Sequence, residues 1–521
     1  MFIATIFMVV IGVLHAATMQ VTRAIDRARD TAIRVAIGAS WASILRRWSI
    51  EGVSLAGVAL ALSIAIAPPV LSATVALLPA DLTFGQPIAI DYRTLAVTGV
   101  IALVAMSSFT LAPALVMARV SPIDVLHGRM GEMYNFGTGK GGWVLLGAQA
   151  SLVTGLVYLG ALALHSFQLA NAVPLGIDAD HLFVVGNLPR SAHGASDADA
   201  IVEQLRLVPG VATVAAGVSP FLTDRSMMPL APSRPQTIAE ERGMPPTDVR
   251  FVGRGYFNTV GLRLLEGRDF DPREDRSAVT VLSADLARRL GGDRSLVGTD
   301  VYMSSNSPVR VIGIVSDIRV MGPEYPPRRL AYLPASMQGS LTPDILVRFT
   351  PQADINARLP DIARIVATAL DTKASITISD QGQQQYRLLA PQRGRATLLA
   401  LLALVALVLG VAGMFVSADK TVRQGLRDSA VRIALGASPL AVAGHLILRV
   451  VRVVMIGAVV GCAGGILGAR WASTLFVGVR SSDPVALVCA VAIVSASAVL
   501  ASLSPARRAA TVDPIALLNE A

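Results

Sequence analysis

Charged residues and cysteines are both scarce in this chain. Only 16% of its 521 residues are charged and 53% are hydrophobic, a balance too apolar for an ordinary soluble protein. The two cysteines, Cys462 and Cys489, lie in apolar segments, where they act as small hydrophobic residues and offer neither a disulfide framework nor a metal motif. The composition therefore indicates a membrane protein.

Nucleic-acid and nucleotide motifs are missing as well. The net charge is +9, but the arginines gather beside apolar spans without interleaved aromatic residues or a zinc-finger pattern, so membrane topology explains the charge better. Gly137–Gly142 matches G-x-G-x-x-G, yet no strand is predicted before it, and we interpret it as a flexible linker. No G-x-x-x-x-G-K-[ST] pattern occurs, so this sequence does not hydrolyse ATP by that route.

Apolar segments long enough, or nearly long enough, to cross a membrane occur seven times. They cover approximately residues 1–17, 50–78, 95–117, 143–164, 396–416, 441–476 and 485–503. Basic residues follow the first, third, fifth and seventh segments, which places those loops in the cytoplasm. We therefore expect a multi-pass protein of the bacterial cytoplasmic (inner) membrane, with its amino terminus outside and its carboxyl terminus in the cytoplasm.

One motif occurs twice, at Arg29–Ser40 and at Arg427–Ser438. Each copy holds an aspartate four residues before an arginine, the favourable order for a helical ion pair. Each copy also has a glycine where a helix ends in the left-handed conformation, followed by a serine that can cap the next helix. The pattern predicts a short amphipathic helix at the foot of a span. The residues assigned to this paired motif are Arg29, Asp30, Arg34, Gly38, Arg427, Asp428, Arg432 and Gly436.

The duplication favours a function beyond orientation. A single basic loop would only mark the cytoplasmic side of the membrane. Two copies with the same ion pair, the same helix-ending glycine and the same capping serine instead indicate a surface that binds a partner protein. A second repeat supports this, because Leu111–Ala114 with Val120–Ile123 recurs as Leu503–Ala506 with Val512–Ile515. Two parallel units are therefore expected. The first begins abruptly inside its leading span, which predicts a fragment or a misplaced start codon.

A glycine stripe runs along the sixth apolar segment. Gly457, Gly461 and Gly465 recur every four residues, and small residues at this spacing let two membrane helices approach closely. We predict that these three glycines form a helix-packing face.

A polar region follows the fourth span and is large enough for a soluble domain. Residues 182–185, 197–207 and 211–216 read as strand, helix and strand, and residues 344–349, 355–370 and 375–378 repeat that order. Between them we predict a β-rich insert with strands at 249–252, 278–282 and 309–315, and a loop at 224–248. Glu240-Glu241 could serve as acid and base, but neighbouring loop carboxylates are usually just solvated. We assign no catalytic, cofactor-binding or metal-binding residues and predict that the protein is not an enzyme.

The paired motif, the carboxyl-terminal segments and the polar region together resemble the MacB/FtsX-type ABC transporter permeases. The segment 427–437 is similar to that family's cytoplasmic Glu-Ile-Gly-Ile-Arg-Arg-Ala-Leu-Gly-Ala stretch, with Asp428, and Asp30 in the first copy, replacing the glutamate. The carboxyl-terminal segments 505–510 and 513–515 resemble the family's end. The polar region resembles its periplasmic core domain through Gly255–Phe257, Gly261, Glu266–Phe270, Val297–Gly298 and Val311–Asp317.

The resemblance implies an α-helical polytopic membrane protein with an α+β extracytoplasmic domain like the MacB periplasmic core. It also implies a division into parts. These are a truncated first FtsX-like permease unit at 1–128, a cytoplasmic linker at 129–142, a span at 143–165, the core domain at 166–393 and a second permease unit at 394–521.

The implied function is that of the permease subunit of an ABC-type exporter or mechanotransmission complex. A separate cytoplasmic ABC ATPase would bind the paired motif and act on the extracytoplasmic domain through the spans. The alternative is a membrane scaffold or signalling protein that regulates a cell-envelope enzyme without moving a substrate. Partners implied besides the ATPase are the lipid bilayer and either a second copy or other envelope proteins, with no nucleic acid and no cofactor.

Overall fold

The structure is a computed structural model that describes most of the chain. The described residues are 7–16, 19, 28–77, 91, 93, 96–97, 99–101, 140–189, 194–221, 226–237, 240, 246–271, 278–303, 307–338, 342–371, 376–424, 438–476 and 478–510. They form two compact units, Met1–Leu169 together with Pro391–Ala521, and Ala170–Ala390. We refer to these as the membrane unit and the core domain.

The helices are numbered in chain order over the described residues. They are α1 Phe7–Ala16, α2 Ala28–Ala36, α3 Trp41–Leu77, α4 Lys140–Ala172, α5 Gly194–Leu205, α6 Tyr256–Val260, α7 Ala284–Gly291, α8 Ile355–Ala369, α9 Gln381–Leu388, α10 Ala390–Gln424, α11 Pro439–Trp471 and α12 Pro484–Ala510. Short 3₁₀ turns cover Ala335–Gln338 and Ser473–Leu475.

The strands of the described residues all lie in the core domain. They are β1 Leu182–Gly186, β2 Val211–Gly217, β3 Ser226–Ala231, β4 Pro246–Val252, β5 Leu264–Gly267, β6 Val279–Ser283, β7 Asp300–Met303, β8 Pro308–Val315, β9 Leu330–Pro334, β10 Asp344–Phe349 and β11 Thr377–Asp380.

Five described helices are long and apolar enough to cross a membrane: α3, α4, α10, α11 and α12. Helix α3 begins nine residues before the predicted second span and continues through Pro68 and Pro69. Helix α11 ends at Trp471 instead of 476, because the chain tightens there into the 3₁₀ turn Ser473–Leu475. Of the predicted third span, residues 95–117, only positions 96, 97 and 99–101 are described.

The first sheet of the core domain has the strand order β11-β1-β10-β2, and its neighbouring strands are antiparallel. Helix α5 connects β1 to β2 and α8 connects β10 to β11, so each helix crosses over an intervening strand in a split β-α-β arrangement. Apolar residues of α5, α8 and the sheet share one core. This confirms the predicted strand-helix-strand repeat, and it brings Gly217 and Asp344, which bracket the insert, into register as partners.

The insert between these repeats forms a second, seven-stranded sheet with the order β5-β8-β6-β9-β4-β3-β7. Strand β7 pairs with both β3 and β8, so the sheet closes on itself. Only the β4–β9 and β6–β8 pairs are parallel. A separate apolar core that includes Leu282, Val301 and Val311 belongs to this sheet and α7.

The prediction of a loop at 224–248 is wrong in part. Residues 226–229 pair with 246–249 as an antiparallel ladder between β3 and β4. The proline- and methionine-rich composition hid these strands, because the pairing depends on a neighbouring strand and on burial of Leu230. Glu240 accepts a hydrogen bond from the Gln236 backbone amide at 2.7 Å, a local structural role, and Glu241 lies outside the described residues.

Asp344 makes the stability of the core domain dependent on pH. Burial raises the pKa of its carboxyl to about 6, although the Ser219 backbone amide favours the charged form. A carboxyl whose pKa is raised on folding binds more protons in the folded state, so the free energy of unfolding falls as pH rises from about 4 to about 6. We expect Asp344→Asn to flatten this dependence and to stabilise the domain above pH 7 by up to about 3 kcal/mol.

Urea unfolding of Ala170–Ala390 followed by circular dichroism measures both quantities. The control is Asp361→Asn on α8, an exposed carboxylate paired with Arg364. Equal pH dependence in the parent and in Asp344→Asn would contradict the expectation.

Candidate coupling site

Helix α2 carries the first copy of the paired motif. The Arg34 Nε atom lies 3.0 Å from Asp30 Oδ2, which is the predicted ion pair between side chains one turn apart. Both side chains are exposed, so the pair orders the helix surface more than it stabilises the fold. The backbone of Arg29 belongs to the same helix.

Gly38 ends this helix in the left-handed conformation, with φ of +96°. The Gly38 amide donates to the Val35 carbonyl at 3.0 Å, and the Ala39 amide donates to the Arg34 carbonyl at 2.9 Å. These two bonds define a Schellman motif. Ser40 then accepts a hydrogen bond from the Ser43 amide at 3.4 Å, one residue before α3 begins. The connection from α2 to α3 is therefore short and hydrogen-bonded throughout.

Most of the second copy lies outside the described residues, including Arg427, Asp428, Arg432 and Gly436. Its last residue, Ser438, caps α11 by accepting a hydrogen bond from the Ala441 amide at 3.3 Å, and a proline follows at the first helical position. The described ends of the two copies thus match, because Ser40 and Ser438 each begin a long apolar helix.

The surface of α2 combines the ion pair with exposed apolar side chains. Ile33 is 42% exposed and Ile37 is 82% exposed, whereas Thr31 is only 6% exposed. One side of the short helix is therefore anchored, while charged and aliphatic groups lie together on its accessible surface.

Helix α11 packs on α4 through the glycine stripe. A Cβ atom at position 457 would meet the Gly147 carbonyl oxygen and lie 2.9 Å from the Ala150 side chain. A Cβ atom at 461 would collide with the Ser151 carbonyl oxygen, and one at 465 would lie 2.6 Å from the Tyr158 ring. All three glycines therefore face α4, and only a hydrogen atom fits there.

Helix α10 also packs closely on α4 through glycines, at Gly410 and Gly413. A Cβ atom at Gly410 would lie 2.9 Å from the Val153 side chain, and one at Gly413 would overlap the Gln149 amide. Conversely, a Cβ atom at Gly160 of α4 would lie 2.9 Å from Ala403. Helix α4 is thus held between two helices, and its apolar window is 61% buried.

Three residues that the sequence interpretation did not single out attach the α11–α12 connection to α4. The Tyr158 hydroxyl donates to the Ser481 carbonyl at 2.5 Å, and His165 Nδ1 lies 3.1 Å from Asp483 Oδ1. The same Asp483 oxygen accepts from the Ala486 amide at 2.9 Å and caps α12. The Asp483-Pro484 pair is a recognisable helix-start signal, but its pairing with His165 depends on tertiary contact.

The core-domain residues that carry the family resemblance form turns and buried contacts. Gly255 and Gly261 flank α6 with φ of +78° and +82°, and this brief helix buries Tyr256 and Phe257. The Asp269 carboxylate accepts from the Gly255 amide at 3.2 Å and from the Phe270 amide at 2.7 Å, while burial raises its pKa. These residues hold turns of the insert in place.

Asp317 has a similar structural role at the end of β8. Its Oδ1 atom accepts from the Asp285 amide at 2.8 Å, and its Oδ2 atom lies 3.3 Å from Arg288 NH2. The carboxylate therefore binds the first turn of α7. Among the described residues, no group of three or more histidine, cysteine, aspartate or glutamate side chains is placed to hold a metal ion.

Apolar helices packed through glycines and an α+β domain inserted between them define a multi-pass membrane protein with a separate polar domain. Residues 144–365 match the protein-family model described as MacB-like periplasmic core domain, and residues 400–514 match the one described as FtsX-like permease C-terminal. The chain belongs to the MacB/FtsX-type ABC transporter permease family.

Similar proteins include two named macrolide export ATP-binding/permease protein MacB. The one from Shigella boydii serotype 4 (strain Sb227) is 27% identical over 295 residues, which cover 52% of this chain and 43% of that protein. The one from Escherichia coli (strain K12) is 26% identical over 289 residues, which cover 51% and 42% respectively. The chain thus matches less than half the length of these relatives.

Two solved structures align with part of the chain, with low TM-scores. The periplasmic region of MacB from Actinobacillus actinomycetemcomitans aligns with a TM-score of 0.30 and 16% identity, covering 40% of this chain and 93% of that one. The extracellular domain of the ABC-type transporter YknZ from Gram-positive bacteria aligns with a TM-score of 0.28 and 17% identity, covering 38% and 99%. The family membership rests on the sequence matches.

The packing at Gly461 predicts a selective effect of one methyl group. We expect Gly461→Ala to lower the free energy of unfolding by about 1–3 kcal/mol, because overpacking forces α11 away from α4. Gly464→Ala is the matched control, since a Cβ atom there meets nothing within 4 Å. Thermal unfolding of the full chain in detergent measures the difference. Equal destabilisation by both substitutions would contradict the packing.

Proposed function

We propose that the chain is the permease subunit of an ABC-type exporter or mechanotransmission complex. A separate cytoplasmic ABC ATPase binds the two motif helices, and the spans carry the movement to the extracytoplasmic domain. The observation that carries this proposal is α2, a short helix with an ordered ion pair beside exposed Ile33 and Ile37 at the foot of a long span.

The surface of α2 has the chemistry of a protein-docking site. Exposed aliphatic side chains lose water favourably when a partner covers them, and neighbouring charges fix the partner's orientation. Ile37 is the most accessible of these groups and lies one residue before the glycine that ends the helix. A partner that contacts Ile37 therefore contacts the joint between α2 and α3 directly.

The joint is suited to transmit a displacement. The Schellman motif and the Ser40 cap leave few free backbone torsions between α2 and α3. In the second unit, α11 starts at the Ser438 cap and packs along α4 through its glycines, and α4 continues in sequence into the core domain. Coupling also requires that the helices adopt two discrete arrangements and that ATP binding to the ATPase shifts the equilibrium between them.

The proposal fixes a topology. Both copies of the motif and the carboxyl terminus lie in the cytoplasm, and the amino terminus lies outside. The basic side chains beside the motif, including Arg46 and Arg47, favour the cytoplasmic side.

The relatives are named for macrolide export, and we propose a macrolide as the first cargo to test with this chain. Uptake of a labelled macrolide into inverted vesicles that contain the chain and its ATPase distinguishes an exporter from a regulatory scaffold. A scaffold would bind the ATPase without ATP-dependent uptake.

Substitution of the α2 surface should abolish binding of the ATPase. We expect Arg34→Glu with Ile37→Asp to reduce copurification of the coexpressed ABC ATPase at least tenfold, because both the charge and the apolar contact are removed. Charge reversal in the second copy, Asp428→Arg with Arg432→Asp, should have the same effect.

The matched control makes the same two kinds of change at an exposed ion pair of the core domain. Arg206→Glu with Leu207→Asp alters an arginine that is paired with Glu203 and a leucine that is 83% exposed, and it should leave copurification unchanged. Equal recovery of the ATPase with the α2 variant and this control would reject α2 as the docking site.

Labelling from the two sides of the membrane tests the topology. In a background of Cys462→Ser and Cys489→Ser, Ile37→Cys should react with a membrane-impermeant maleimide only in inverted vesicles, because position 37 is exposed on the cytoplasmic side. Gln383→Cys on α9 in the core domain is the control and should react only in spheroplasts. Reaction of both positions from one side would overturn the topology and the coupling together.

A further inference from the structure

A small cavity lies within the membrane unit at the extracytoplasmic ends of its helices. It encloses about 120 Å³ between the last turns of α4, the first turns of α10 and the segment after α11. Its lining residues are Ala163, Ser166, Phe167, Gln392, Arg395, Ala396, Leu399, Leu475 and Phe476.

Gln392 is the unusual member of this lining. Its side chain is only 5% exposed, and neither Nε2 nor Oε1 has a hydrogen-bond partner among the described residues. Leaving a buried donor and acceptor unpaired is costly, and most buried polar atoms in proteins have partners. A primary amide held against a mostly apolar cavity therefore points to a ligand that supplies the missing partner.

The remaining polar groups lie on the same cavity. Ser166 is buried, and Arg395 donates from NH1 to the Leu475 carbonyl at 3.3 Å, which holds its guanidinium at the lining. The other walls are alanine, leucine and phenylalanine side chains. The cavity thus offers an amide and a cation beside an apolar surface, which suits an amphiphile.

We propose that this cavity binds a phospholipid of the extracytoplasmic leaflet at its glycerol–ester region. The Gln392 Nε2 group donates to an ester carbonyl, the start of the acyl chain lies on Phe167 and Leu399, and Arg395 attracts the phosphate. The position at the ends of the spans is the depth of lipid ester groups. The volume suits a lipid fragment, because pockets for whole small molecules enclose about 300–1,000 Å³.

Water is the competing occupant. A buried water needs two to four polar partners in a polar site, whereas most of this lining is carbon.

The lipid proposal is independent of ATPase binding. Its failure would leave the proposed function untouched, and failure of the proposed function would leave the lipid proposal untouched.

The first experiment is photolabelling in nanodiscs. The full chain is reconstituted with phosphatidylglycerol that carries a diazirine on the acyl carbon nearest the ester. We expect labelled peptides from 163–167 and 392–399. Gln392→Leu should lower this labelling about tenfold, because it removes the donor at similar side-chain volume. Gln149→Leu is the matched control, another buried glutamine of the membrane unit that lies outside the cavity lining.

Lipid chemistry sharpens the test. In competition, ester-linked phosphatidylglycerol should displace the probe better than its ether-linked analogue, since only the ester has the carbonyl. Arg395→Gln should remove the preference for phosphatidylglycerol over uncharged monoolein. A preference for the ester that persists in Gln392→Leu would overturn the assigned contact.

Thermal unfolding distinguishes lipid from water. In lipid-free detergent, Gln392→Leu should melt above the parent, because the unpaired amide is gone. Added phosphatidylglycerol should then raise the melting temperature of the parent and of Gln149→Leu but not of Gln392→Leu. Equal lipid response in all three, together with no label on 163–167 or 392–399, would show that the cavity holds only water.

Discussion

The close approach of α10 and α11 to α4 is the constraint on which the membrane unit depends. Inside a bilayer no hydrophobic force drives helices together, so van der Waals contact between well-fitted surfaces must do so. Gly457, Gly461 and Gly465 on one helix, and Gly410 and Gly413 on another, permit that contact with α4. The difference in burial reflects this, since 61% of the apolar window of α4 is buried but only 6% of that of α3 within the described structure.

The core domain is organised by a different principle. A four-stranded split β-α-β frame carries a closed seven-stranded insert, and turns within the insert are held by backbone amides that donate to Asp269 and Asp317. Most of the core-domain segments that resemble the family form these turns and hydrogen bonds. Because the turns occur at several points of the insert, the resembling segments are spread along the chain. They maintain the geometry of the insert, whereas the docking site proposed for the ATPase is on α2.

Much of this architecture could be predicted from periodicity and local signals. The strand-helix-strand repeats, the five described helices that are long enough to cross a membrane, and the helix end at Gly38 all depend on neighbours close in sequence. The β3 strand could not be predicted, because its partner β4 is what makes a Met- and Pro-containing segment extended. The His165–Asp483 pair and the unpaired Gln392 were also beyond local reasoning, since each depends on helices far apart in the chain.

The pairing of Gly217 with Asp344 has a consequence for how this domain can change over time. The seven-stranded module leaves and rejoins its host at two positions that sit side by side on adjacent strands. Another segment whose ends lie a few ångströms apart can join the same two strands, provided that it also covers Leu182, Val184, Ala215 and Leu346, which share a core with the present insert. The frame therefore provides one fixed point of attachment at which inserts of different length and sequence can be exchanged during evolution or by design.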